Sequence, residues 1–236
     1  MTRVRFDRAA RTLTRGSTVM AIRVSRSVQA VHGAPAVGTA ATSIDPQWCH
    51  GLDVDRATGT VYLAVADYRA TAAGKPRGVV RVGRSSDGGR TWTWRTLPTV
   101  TLPGSPAAGG GLGSSFKPTV AARDGVVFVG FHVITDVRRS AAAARRPVIG
   151  TYFAGSVDGG LTYAPPVPVA RIRWRAAALE RGVNGPGLRE RADFTADGHV
   201  FYVYGDGRRA APSPSRAWGR GAIYGALVFP GAAASP

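Results

Sequence analysis

The chain writes one phrase twice: residues 85–92 read SSDGGRTW and residues 156–163 read SVDGGLTY. Each copy sits between runs that suit β-strands, VVRVGR into the first and TWTWRTL out of it, PVIGTYFAG into the second and TYAPPVPV out. An Asp-Gly-Gly tip between two strands is a hairpin turn, because the aspartate can accept backbone N–H groups and the glycines tolerate positive φ. Asp87 and Asp158 would lock the tips, Gly89 and Gly160 would take the left-handed geometry, and Thr91-Trp92 or Thr162-Tyr163 would open the outgoing strands. Two such tips about 70 residues apart imply a repeated unit.

Strand and turn signals recur around both copies. One unit reads HGLDVD, a turn at RATG, TVYLAVADYR and the Asp87 hairpin; the next reads KPTVAA, a turn at RDG, VVFVGFHVITDVR and the Asp158 hairpin. A third reads RADFT, a turn at ADG, HVFYVYGDGR and GAIYGALVF. The second strand of the first unit is apolar on both faces, Val61, Leu63 and Val65 alternating with Tyr62, Ala64 and Ala66, which fits a strand sandwiched between two neighbouring sheets. The expectation is an all-β fold, a β-propeller of four-stranded antiparallel blades, partial at about three to four blades. The blades fall at about 46–100, 116–170 and 189–236, with residues 1–45 supplying strands of a partial N-terminal blade.

A second motif closes the second strand of every unit: Asp67-Tyr68-Arg69, Asp136-Val137-Arg138 and Asp206-Gly207-Arg208. Residues two apart on a strand share a side, so each pair could bond internally or grip a common ligand. Strands alternate in direction, so these motifs and the Asp-Gly-Gly turns belong to opposite ends of the blades.

The pattern S-x-D-x-G-x-T-[WY] resembles the Asp box, or BNR repeat, of sialidase-like β-propellers, and Ser85, Asp87, Gly89, Thr91 and Trp92, then Ser156, Asp158, Gly160, Thr162 and Tyr163, fill every fixed position. The resemblance implies a six-bladed ring and an exo-α-sialidase-like glycoside hydrolase. In that family three arginines hold the substrate carboxylate, an aspartate is the acid/base and a tyrosine aided by a glutamate is the nucleophile. Arg69, Arg138 and Arg208 are the candidate ligand clamp, Asp67, Asp136 and Asp206 the candidate carboxylates, and Tyr68, Tyr202 and Tyr204 the candidate tyrosines. The family's Arg-Ile-Pro segment has no match here, and Glu180 and Glu190 are the only glutamates, both in a segment that reads as a short helix and loop. No catalytic residue carries over one by one, so a carbohydrate- or protein-binding propeller without chemistry, or an incomplete inactive member, stands beside the enzyme.

Charge narrows the partners. Basic groups number 31 against 14 acidic ones, for a net +17, and Lys75 and Lys117 are the only lysines. With its many Ala and Gly residues this reads first as the amino-acid usage of a GC-rich genome, and beside that as a surface suited to anionic glycans, while the scattered arginines match no nucleic-acid-binding signature. The histidines His32, His50, His132 and His199 lack ligand spacing, so no metal or other cofactor is expected. GGGLGSSFK at 109–117 lacks a phosphate-loop ending and reads as a linker, Cys49 as a small hydrophobe, and Asp53-Val54-Asp55 as the start of a turn. Trp92 and Trp94 read as packing between blades. No run approaches a membrane span, and the charged N-terminus lacks the apolar core of a signal peptide. The compartment stays open, extracellular if the chain derives from a longer exported precursor, and an incomplete ring would self-associate.

Overall fold

A computed structural model describes residues 2–7, 12–18, 50–70, 76–100, 114–134, 148–169, 174–175, 190–206 and 222–228. Every element among them is a β-strand. β1 (Thr2–Asp7) and β2 (Thr12–Thr18) form an antiparallel pair with Phe6 opposite Leu13.

The first sheet is a four-stranded meander of β3 (His50–Val54), β4 (Val61–Ala70), β5 (Pro76–Ser85) and β6 (Thr93–Thr96). The second repeats it with β7 (Ser114–Arg123), β8 (Val126–Ile134), β9 (Val148–Ser156) and the short β10 (Val167–Pro168), and β11 (Trp174–Arg175) adds to β9 further along. The third comprises β12 (Arg191–Phe194), β13 (Val200–Asp206) and β14 (Ala222–Val228). Sheets of this kind, stacked face to face with β3, β7 and β12 innermost, make a partial β-propeller.

The hydrophobic pattern explains the stacking. Tyr62, Ala64, Val80 and Val82 on one face of the first sheet are buried against Val120, Val127, Val129, Phe131 and Tyr152 of the second. The second sheet's other face buries Ala121 and Phe128 against Val200, Tyr202, Tyr204 and Val228. Strand β4 is buried on both faces as its sequence demands, Val61 and Val65 being as enclosed as Tyr62 and Ala66. Close approach requires glycine at two places. A Cβ on Gly51 would lie 2.5 Å from the Val120 backbone nitrogen, and one on Gly130 would lie 2.6 Å from the Tyr202 ring.

Two expectations need correction. Ser114–Lys117 is not linker but the start of β7, whose register shifts between Phe116 and Thr119, with Lys117 at φ 50°. Trp92 and Trp94 stack on each other over Gly83, at 5.9 Å between ring centres, on the face of the first sheet away from the second. They pack within their own sheet.

Candidate functional site

The inner strands β3, β7 and β12 border a polar groove of about 970 Å³ along the axis. Its walls carry Asp53, Asp55, Asp124, Asp193 and Glu190 among the acids and Arg56, Arg123 and Arg191 among the bases. What these groups can do depends on how many are already bonded.

Asp53 and Asp55 are. Asp53 accepts the Ala122 N–H of β7 at 2.7 Å on one oxygen and its own neighbour's Val54 N–H at 2.8 Å on the other. Asp55 accepts Gly125 N–H at 2.9 Å and Asp124 N–H at 3.2 Å from the second sheet, and Ala57 N–H at 3.0 Å from its own turn. Desolvation pushes the Asp55 carboxyl up, but the amides of Gly125, Ala57 and Asp124 and the Thr58 hydroxyl outweigh it, leaving its pKa below the usual carboxylate value. Asp55 does begin a turn, as its sequence suggests, and it also fastens one sheet to the next.

Glu190 enters β12 with its carboxylate buried. His132 Nε2–H donates to Glu190 Oε1 at 2.9 Å, and the Thr151 hydroxyl lies 3.0 Å from Nδ1, donating to it in that tautomer. His132 has no solvent exposure, and Phe116 packs against its ring. The helix expected around Glu190 does not extend into β12, where Glu190 precedes Arg191 in extended chain. Sequence reading missed this pair because 58 positions separate its members. A histidine within an apolar second strand, where burial demands a partner, was the available signal.

The Asp-x-Arg motifs are placed unevenly. Asp67 is buried and pairs with Arg81 of β5 at 3.4 Å; Arg81 also lies over the Trp94 ring at 5.2 Å. That pairing crosses from β4 to β5. Arg69 lies near the end of β4 and Asp206 ends β13, while Asp136, Arg138 and Arg208 lie outside the described residues. Among the tyrosines, Tyr202 and Tyr204 are core side chains at 0% and 4% exposure, which removes them as solvent-reachable nucleophiles. Burial, then the Glu190 and Tyr204 charges, push the Tyr202 hydroxyl well above its ordinary pKa, and that hydroxyl has no partner among the described residues.

The two Ser-x-Asp turns are nearly superimposable in their bonding. Asp87 accepts from the Ser85 hydroxyl at 2.8 Å, from Arg90 and Thr91 N–H at 2.8 and 3.0 Å, and from the Thr91 hydroxyl at 2.7 Å. Asp158 accepts from Ser156, Leu161, Thr162 N–H and the Thr162 hydroxyl in the same order, at 2.7, 3.0, 3.0 and 2.5 Å. Gly89 and Gly160 sit at φ 83° and 80° and donate to Ser85 and Ser156 Oγ. The Thr backbone and hydroxyl donors hold the Asp87 carboxyl far below its usual pKa, and the Thr162 hydroxyl and backbone do the same for Asp158. Trp92 Nε1 donates to Gly89 O, and Tyr163 packs against the core.

Register fixes where these turns lie. Ser85 pairs with Val61 at the start of β4, whereas Asp67 lies six residues further on, about 20 Å at strand rise. The turn at Asp158 also meets the first turn of its own sheet, Gly159 N–H donating to Gly125 O at 2.8 Å. The locked turns and the Asp67–Arg81 pair therefore occupy opposite ends of the blades.

No protein-family model matches the chain, and no curated protein does. Among solved structures, a Hadza microbial sialidase aligns with 65% of this chain and 31% of its own at 16% identity and a TM-score of 0.41. An α-L-arabinanase of Penicillium chrysogenum aligns with 78% and 47%, at 16% and 0.42, and an α-L-arabinofuranosidase of Fusarium graminearum with 76% and 46%, at 15% and 0.43. This chain spans less than half the length of each. These neighbours are glycoside hydrolases, and they differ in the sugar their names specify.

Proposed function

We propose that this chain is the sugar-binding part of a glycoside-hydrolase-type propeller, and that it takes an anionic glycan at the axial end where β4 and β13 finish, holding it without cleaving it. On this reading the Ser85–Trp92 and Ser156–Tyr163 turns are Asp boxes of the sialidase-like kind, scaffold at the far end, and Arg69, Arg138 and Arg208 supply the bidentate grip on a sugar carboxylate.

One observation supports binding over chemistry: the buried carboxylates between and beside the described sheets are already engaged. Asp53 and Asp55 hold backbone amides, Glu190 holds His132 and Asp67 holds Arg81. Glycoside hydrolysis needs two carboxyl groups free to face one glycosidic bond, and these four are committed to the protein.

Titration calorimetry with a sialylated and an uncharged oligosaccharide tests the proposal. Binding of the sialylated ligand should weaken about tenfold for Arg69→Ala, Arg138→Ala or Arg208→Ala, equivalent to about 1.4 kcal/mol, while the uncharged sugar stays weak. Failure to bind any anionic glycan would remove the ligand assignment. Steady turnover of a fluorogenic sialoside or arabinofuranoside would replace binding by hydrolysis.

A further inference from the structure

The junction between the first two sheets is a template that the third sheet carries, unfilled, on its exposed side. In the first sheet Asp53 and Tyr62 stand directly opposite each other across β3 and β4. One Asp53 oxygen accepts Val54 N–H at 2.8 Å and the other reaches across to Ala122 N–H of the second sheet. Tyr62 is buried beneath that sheet's turn and donates to Gly159 O at 3.0 Å.

In the third sheet Asp193 and Phe201 stand opposite each other across β12 and β13 at the same register, one position before the turn. One Asp193 oxygen accepts Phe194 N–H at the same 2.8 Å. There the equivalence stops. The other oxygen accepts nothing among the described residues, Phe201 is 48% exposed over Gly225, and Leu227, opposite Phe201 on β14, is 50% exposed. At the other end of the arc the first sheet turns Leu52, 51% exposed, and Val54, 41% exposed, away from the second sheet.

We propose that the face of the third sheet bearing Asp193, Phe201 and Leu227 docks head to tail on the face of the first sheet bearing Leu52 and Val54 in a second copy of this chain. Leu52 and Val54 hold in β3 the positions that Val120 and Ala122 hold in β7, so the two outer faces of the arc are of the kinds that meet at the internal junction. The internal junction shows that this geometry binds. Each copy carries one face of each kind, so a two-fold axis satisfies both contacts at once. The three stacked sheets of each copy would give six about one axis, inside the four to eight that close a propeller. The association goes beyond the proposed glycan binding and does not depend on it.

Light scattering on the full chain at roughly 50 µM, a concentration at which micromolar association is nearly complete, should return twice the 24.6 kDa protomer mass. Phe201→Arg and Leu52→Arg should each return a monomer with unchanged circular dichroism and melting temperature. Mixed together they should recover a dimer, because the Phe201→Arg copy keeps a sound first sheet and the Leu52→Arg copy a sound third sheet. A wild-type monomer, as expected if these faces instead receive other sheets or another protein, would overturn the proposal. So would a dimer indifferent to these substitutions, or a mixture that stays monomeric.

Discussion

The two internal junctions of the molecule perform one task by different chemistry. Between the first and second sheets, carboxylates reach across to backbone amides: Asp53 to Ala122, Asp55 to Asp124 and Gly125. Between the second and third, aromatic rings fill the gap, Tyr202 lying over Gly130 and edge-on to Phe128 at 5.4 Å, with Phe128 stacked on Phe153 at 5.5 Å. Two polar bonds assist there, Arg123 donating to Thr195 O at 2.7 Å and His132 to Glu190 at 2.9 Å. The difference follows from one position, since β7 has Ala121 facing the third sheet where β3 has Asp53 facing the second. With no carboxylate at that position to reach across, the second sheet draws on ring area and on a glycine that lets the ring approach.

That contrast predicts unequal tolerance at the two glycines. At Gly51 the atoms a Cβ would meet are backbone, Val120 N at 2.5 Å and Thr119 Cα at 2.7 Å, and backbone in a bonded strand cannot move aside. Gly51→Val should cost at least about 3 kcal/mol, read as a collapse of the urea midpoint. At Gly130 the obstacle is the far end of the Tyr202 side chain. Gly130→Ala should cost about 1–3 kcal/mol, and in a Tyr202→Leu background its additional cost should fall to near zero, a coupling that a double-mutant cycle measures directly. Equal penalties at the two sites, or no coupling at Gly130, would break the comparison.

The carboxylate junction should also be sensitive to acid. Asp55 has a pKa below its unfolded value, so its contribution is full above about pH 4 and is lost as pH falls through the native pKa. Asp55→Ala leaves Gly125 and Asp124 N–H groups without their acceptor and should cost about 2 kcal/mol at pH 7, with the gap from wild type narrowing as the medium is acidified below pH 4. Urea unfolding at pH 7 and pH 3 measures both. A penalty that is independent of pH would mean that the Asp55 charge does no fastening.

The legible part of the molecule was its local part. The locked turns follow from five fixed residues within eight positions each, and the doubly apolar β4 from six in a row; periodicity and turn chemistry act within a strand's length, so sequence carries them. What joins the sheets was not legible. Asp55 and Gly125 lie 70 positions apart, His132 and Glu190 58 apart, and in sequence Asp53-Val54-Asp55 is merely a turn signal. Asp67 illustrates the same limit: its neighbour in sequence is Arg69, but the strand pairing that hands it Arg81 exists only once β5 has turned back. Burial makes the same distinction for Tyr202 and Tyr204, eligible as nucleophiles by residue type and enclosed by the third sheet's packing.

The smallest effect lies at the centre of the aromatic junction. The Tyr202 hydroxyl is fully buried with no partner among the described residues, and burying an unbonded hydroxyl is unfavourable, whereas its ring supplies the contacts to Phe128 and Tyr204. Tyr202→Phe keeps the ring and removes the orphaned group, so it should leave stability unchanged or raise it by up to about 1 kcal/mol. The opposite result, a loss of 1 kcal/mol or more in the urea midpoint analysis, would mean that the hydroxyl is hydrogen-bonded in solution. The second junction would then resemble the first in relying on a polar tie, and the division of labour between Asp53 and Tyr202 would have to be redrawn.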